Sequence, residues 1–320
     1  MRRWRLLGAA GLVLGLVVLA AVLVWRPAPG IPSVPSTRAV ATTTPTPTAD
    51  PLVDVSVPRL ASGLVPDPGQ VGFLGDESTL RLVDSPANAP AGTRWEDGGL
   101  VVEADDVVLE GVKVAGGVSF ESGGTLTVRG SVIEAVSGWR VLYGGSDVAC
   151  HLDVSDSTLR FVGTPDNGSA AIHGGCTLTA VRNDISGSGD GIQNGPGRCR
   201  VEQNYIHDLA AVSDFHNDGV QLYSGPKIVI RHNRIDIGWN GTNQNGALFF
   251  QGTFDAPVIE GNVLSGGGFT LRIEGGPHRA VVRDNVLLAE PGAFGPVLVE
   301  PGTVATWEGN VDGSGRALSY

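Results

Sequence analysis

The stretch IVIRHNRI (228–235) carries the fold in eight residues. Ile228, Ile230 and Ile235 are aliphatic, the polar pair His232–Asn233 interrupts them, and the alternation then resumes. Period-two alternation marks a strand with one buried face, and a short polar pair between two such runs marks a bend. The unit returns as LTAVRNDI (178–185), CRVEQNYI (199–206), PVIEGNVL (257–264), AVVRDNVL (280–287) and ATWEGNV (305–311). Degenerate copies VVLEGVKV (107–114), LTVRGSVI (126–133) and LDVSDSTL (152–159) place Val112, Ser131 and Ser157 where the others have Asn. The anchors 112, 131, 157, 183, 204, 233, 262, 285 and 310 lie 19 to 29 residues apart.

A second unit falls between them: DGIQNG (190–195), DGVQLYSG (218–225), NGALFFQG (245–252), FTLRIEGG (269–276) and GPVLVEPG (295–302). Each repeat therefore holds three short strands. That arithmetic predicts an all-β, single-stranded, right-handed parallel β-helix of about nine coils, each pairing only with its neighbours. Asn183, Asn204, Asn233, Asn262, Asn285 and Asn310 read as a stacked ladder, with Asn supplying the positive φ that the bend needs. Alternation in the second unit sends Val220, Leu222, Ala247, Phe249, Leu271, Ile273, Val297 and Val299 inward. The outward row is then Gln193, Gln221, Leu248, Arg272 and Leu298, with Tyr223, Phe250, Glu274 and Glu300 one step on.

Cys150 and Cys176 each precede their anchors by seven residues, so they face each other on adjacent coils about 4.8 Å apart, which predicts a disulfide and an oxidising compartment. Cys199 aligns with inward Leu178 and is expected to be a buried free thiol. Glycine at 47 of 320 residues, only 17% charged residues and 42% hydrophobic residues exclude helical bundles and wholesale disorder.

Outside the repeat, Arg2, Arg3 and Arg5 precede an uncharged run from Leu6 to Trp25, long enough to span a bilayer. Residues 1–26 are expected to form an uncleaved signal anchor, with a secreted product as the alternative. Residues 27–50 are a Pro/Thr-rich stalk, and 51–320 are the β-helix domain, placed outside the cytoplasm. From Pro51 onward 17 Lys and Arg face 32 Asp and Glu. This excess of negative charge opposes nucleic acid as a partner.

Loops of variable length beside a rigid sheet concentrate function. The longest are 207–217 and 238–244. His216 with Asp218 is the candidate proton-transfer pair, since an imidazole two residues from a carboxylate has the groups general acid–base chemistry needs. Arg272, the cation of the outward row, would neutralise a uronate carboxylate in a lyase, or else pair with Glu274 or Glu300. Asp190 with Asp218, on neighbouring coils, is the alternative carboxylate pair of a glycosidase. The competing structural reading makes Asp190, Asp218 and Asn245 a column of turn caps. Asp214 with Asp218 would supply oxygen ligands to Ca2+, the one cofactor suggested. Gln193, Gln221, Tyr223, Trp239, Asn245, Phe250 and Glu274 are the candidate substrate-binding residues. Asn167 and Asn240 head Asn-Gly-Ser and Asn-Gly-Thr and read as turns.

The repeat, the DGIQ and HNDGVQ strands, NGALFF and NVLSGGGFTL resemble the right-handed β-helix proteins of the pectate-lyase-like superfamily, especially secreted actinobacterial members, over residues 64–320. The resemblance implies an extracellular protein directed at a polysaccharide or cell-envelope glycan, as a lyase, hydrolase or epimerase, with its site on the exposed strand. Two functions stay open: a monomeric, membrane-tethered polysaccharide-active enzyme, and a non-catalytic glycan-binding envelope protein using the outward polar and aromatic residues.

Overall fold

The computed structural model describes residues 60–320 apart from 62, 139, 146–148, 167, 211–215, 242–243 and 277. The expected anchor, the stalk, Asp214, Asn167 and Asn243 therefore lie outside the described residues. From residue 81 onward the chain is a right-handed parallel β-solenoid whose walls are three sheets. The first runs from Arg81–Val83 to Val311–Asp312, the second from Val107–Glu110 to Val304–Glu308 and the third from Thr93–Glu96 to Gly295–Val299. The second stacks nine strands, one per coil. The chain visits the third, second and first sheets in turn, and successive coils pair in parallel on all three.

In-register pairing stacks like on like through the core. On the second sheet Val128, Val154, Ala180, Val201, Ile230 and Ile259 lie above one another, all buried. Apolar burial contributes roughly 25 cal/mol per Å2, so such columns are a main source of each coil's stability.

The Asn ladder turns the corner from the second to the first sheet. Each Asn accepts, at its side-chain oxygen, the backbone N–H of the anchor one coil earlier. Asn183 N–H donates to Asn204 Oδ1 (2.9 Å), Asn204 N–H to Asn233 Oδ1 (2.9 Å) and Asn233 N–H to Asn262 Oδ1 (3.0 Å). The degenerate anchors do the same with a hydroxyl: Val112 N–H donates to Ser131 Oγ and Ser131 N–H to Ser157 Oγ, both at 3.2 Å. One expectation is corrected. The positive φ belongs to the residue before the Asn, at Arg182, Gln203, His232 and Asp284, with Gly261 and Gly309 in the same place. The first member of the polar pair makes the bend, and the Asn satisfies the backbone groups that the bend exposes.

The disulfide joins Cys150 and Cys176 with Cα atoms 4.8 Å apart. Cys199 is buried and free, and burial pushes its thiol up to about 12.

Two N-terminal features leave no trace in the repeat. Thr93–Glu96 folds antiparallel onto Gly99–Val102, the first coil's third-sheet strand. Before that, the described residues between 60 and 77 form a strap on the first sheet. Gln203 Nε2 donates to the carbonyls of Ala61 (2.8 Å) and Leu64 (3.0 Å), and Arg234 Nε to that of Pro66 (2.8 Å). Further along, Gly72 N–H donates to Arg182 O (2.9 Å), and Glu77 accepts from Arg160 and Lys113.

Candidate functional site

The third sheet is the wall where side chains depart most from the regular ladder. Its strands lengthen to Asn217–Pro226 and Gln244–Asp255. Between these two the register slips: Asn217 pairs with Gln244 but Asp218 pairs with Gly246, leaving Asn245 as an extra residue. A bulge of one residue reverses the facing of the residues that follow, here up to a second slip between Leu222 and Ser224. Leu248 and Phe250 therefore point into the core and are fully buried, whereas Phe249 takes the outward row. Phe250 is thus a core residue, not part of a binding platform, and the outward neighbour of Glu274 is the exposed Gln251.

Asp190 and Asp218 cap strand starts on adjacent coils. Asp218 N–H donates to Asp190 Oδ1 (2.8 Å), and Gly246 N–H donates to Asp218 Oδ1 (3.0 Å). The bulge makes Gly246, not Asn245, the third member of that column. Asp190 is 2% and Asp218 0% exposed. Burial pushes the Asp218 carboxyl up to about 7; burial, with the charge of Asp218, holds Asp190 well above the usual carboxylate range. The pair therefore retains a proton into the neutral range. The amide of Asn217 is also buried, with no hydrogen-bond partner for either side-chain atom among the described residues.

The expected dyad is not assembled. His216 is exposed, Asp218 is sealed beneath the strand start, and no hydrogen bond joins them among the described residues. Asp218 Oδ2 instead accepts from Asn245 Nδ2 (3.4 Å), and Asn245 Oδ1 accepts from Arg272 Nη1 (3.3 Å). Arg272 Nε donates to Glu274 Oε1 (2.6 Å), and its guanidinium lies 4.5 Å from the centre of the Phe249 ring. Arg272 thus makes the ion pair with Glu274 that one of its two readings expected. Among the described residues no group of three His, Cys, Asp or Glu side chains is placed to hold a metal ion.

The outward row is continuous. Tyr143, His173, Gln193 and Gln221 stand on successive coils in direct register, followed by Phe249, Arg272 and Leu298. Gln193 Nε2 donates to Gln221 Oε1 (2.9 Å) and to the Tyr223 hydroxyl (2.6 Å), and the Tyr223 hydroxyl donates to Gln221 Oε1 (3.1 Å). Tyr223 is 41% exposed, and burial together with Asp190 and Asp218 raises its pKa, so the phenol stays protonated. His173 is half-buried, and burial with the charge of Arg140 lowers it to about 4, leaving it neutral at physiological pH. Tyr143 and His173 escape the sequence pattern because the loops before 157 and 183 differ in length and hide the register.

Trp239, expected in the substrate-binding set, lies beside the strand starts of the last coils. Its ring makes an edge contact with Phe294 (centroids 5.7 Å), which in turn packs against Phe269 (5.6 Å). Phe294 is an addition to the expected set, since nothing in EPGAFGP (290–296) separates it from an ordinary loop residue. Comparison of the chain with protein-family models, curated proteins and solved structures finds no match.

Proposed function

We propose that the outward face of the third sheet binds an extended carbohydrate polymer outside the cytoplasm. The observation that carries this is the Gln193–Gln221–Tyr223 trio, hydrogen-bonded to itself with its phenol open to solvent, and continued by Asn245, Arg272 and Glu274. Planar amides, guanidinium and carboxylate groups present paired donors and acceptors that match vicinal hydroxyls. Their spacing from coil to coil, about 4.8 Å, is comparable to the length of one pyranose unit. The disulfide supports an oxidising compartment. The Arg-flanked apolar run supports attachment to a membrane, and the resemblance to pectate-lyase-like proteins supports a polysaccharide as ligand. In this reading the protein acts as a monomeric, membrane-tethered glycan-binding protein.

The test is affinity electrophoresis of the full-length protein against a polysaccharide panel. Tyr223→Ala and Gln221→Ala are expected to weaken the retained ligand about tenfold. Retention unchanged by both substitutions would remove the reading. One observation favours a second reading, cleavage of the bound polymer: the buried Asp218 carboxyl, which burial pushes up to about 7, is linked to the surface row through Asn245 and Arg272. New reducing ends, or absorbance of unsaturated uronate, on incubation with the panel would establish it.

A further inference from the structure

Building on the carbohydrate-binding reading, we infer that Trp239, Phe269 and Phe294 form a stacking shelf for the C–H face of a pyranose ring at the C-terminal end of the polar row. The three rings come from three successive coils: Trp239 from the loop before Gln244–Asp255, Phe269 from the start of Phe269–Glu274 and Phe294 from the loop before Gly295–Val299. Phe294 is 73% exposed, yet it is held in place: its N–H donates to Gly268 O (2.8 Å) and its ring contacts both Trp239 and Phe269. Gly268 makes this possible. A Cβ there would sit 3.0 Å from the Phe294 ring and 3.4 Å from Trp239, so glycine lets both rings lie close over the backbone.

An exposed, pre-positioned aromatic face binds without the entropy cost of ordering a mobile side chain. Its negative quadrupole matches the polarised C–H bonds on one side of a sugar ring. Polar chemistry adjoins the shelf in the right sense. Gly268 N–H donates to Gln244 O (2.8 Å), and the next residue, Asn245, links Asp218 to Arg272 and through it to Glu274. A pyranose stacked on Phe294 would thus turn its hydroxyl edge toward an amide, a guanidinium and a carboxylate. A protein partner fits poorly. Besides Phe294 and Tyr223, the exposed large apolar side chains among those described, Leu64, Leu82, Val108, Val136, Val162 and Tyr320, lie in the strap or on or beside the other two sheets, which leaves too little clustered apolar surface around the rings for a stable interface. The ligand class is therefore a polymer of gluco- or galacto-configured pyranoses, which keep an uninterrupted C–H face.

The experiment titrates full-length protein with hydroxyethyl cellulose, β-1,4-galactan and polygalacturonate by isothermal calorimetry, comparing wild type, Phe294→Ala, Phe294→Trp and Tyr223→Ala, with sedimentation velocity on each. Phe294→Ala is expected to raise the Kd of the neutral polymers about tenfold, and Phe294→Trp to restore it. If Tyr223→Ala weakens binding and Phe294→Ala does not, the shelf is overturned while the face reading stands. Loss with Phe294→Ala alone keeps the shelf and removes the face. No binding to any of the three polymers removes both. A dimer that Phe294→Ala dissociates would show the rings to be a self-association contact and overturn the shelf.

Discussion

The outward faces of the second and third sheets rise from the same coils and carry opposite chemistry. Along the second sheet Glu202, Arg231, Glu260, Arg283 and Glu308 stand in register, one per coil, with alternating charge. Arg231 pairs with Glu202 (3.1 Å), Arg283 with Glu260 (2.9 Å) and, further down, Arg129 with Glu110 (2.9 Å). Each of these arginines is answered by a glutamate on the coil next to it, so most of the row is closed upon itself. The matching row on the third sheet holds Tyr143, His173, Gln193, Gln221 and Phe249 before its first cation, Arg272, and its middle is held together by amides and a phenol. Amides keep donors and acceptors to spare after pairing, whereas the ion pairs of the second sheet are spent on one another. On the proposed reading, the solenoid thus separates the work of holding register from the work of meeting a ligand.

The sharpest way to break that comparison is to attack the corner that serves both faces. Asn233 donates from Nδ2 to Val201 O, Arg231 O and Asn262 Oδ1, and accepts from Asn204 N–H, all while buried. Asn233→Ala strands several of these groups and is expected to cost about 3 kcal/mol or more, read as a lowered urea midpoint at unchanged slope. A pH series sharpens the contrast next. Asp190 and Asp218 have folded-state pKa values raised above those of the unfolded chain, so the folded protein holds protons that the unfolded chain releases. Their contribution is full below about pH 4, the unfolded value, and is lost as pH rises through about 7. Thermal midpoints of wild type should therefore fall more between pH 5 and pH 8 than those of Asp218→Asn. Each tenfold difference in proton affinity between the folded and unfolded chain is worth about 1.4 kcal/mol, which makes the divergence measurable by calorimetry. The smallest effect belongs to the charged row. Arg283→Ala should cost less than about 1 kcal/mol in urea unfolding, and added salt should shrink the difference from wild type, because both members of its pair with Glu260 keep contact with water.

Most of the coil plan is legible in the sequence because in-register stacking writes the same residue types at each anchor. The Asn positions, the alternation around Ile230 and the Cys150–Cys176 bond all follow from that repetition. Legibility ends where repetition does. The bulge at Asn245 is a single inserted residue, and it moves Phe250 inward and Phe249 outward against a parity that holds from Ile192 to Leu222. The assignment of positive φ to the ladder Asn fails for a different reason: both residues of the pair suit a bend, and the one that makes it is the neighbour of the Asn whose side chain is tied into the ladder. Of the site, Gln193, Gln221, Tyr223 and Arg272 are found by parity. Burial removes Asp218 from solvent, which no local pattern signals, and the three-ring shelf needs loops from separate coils to meet.

The strap has a mechanical meaning. A pull applied at residue 60 first loads Gln203 and Arg234, midway along the solenoid, and reaches Arg182, Arg160 and Lys113 only afterwards. The contacts yield one after another, as in a zipper, while Arg81–Val83, the first strand of its sheet, stays shielded from tension until the last of them has opened.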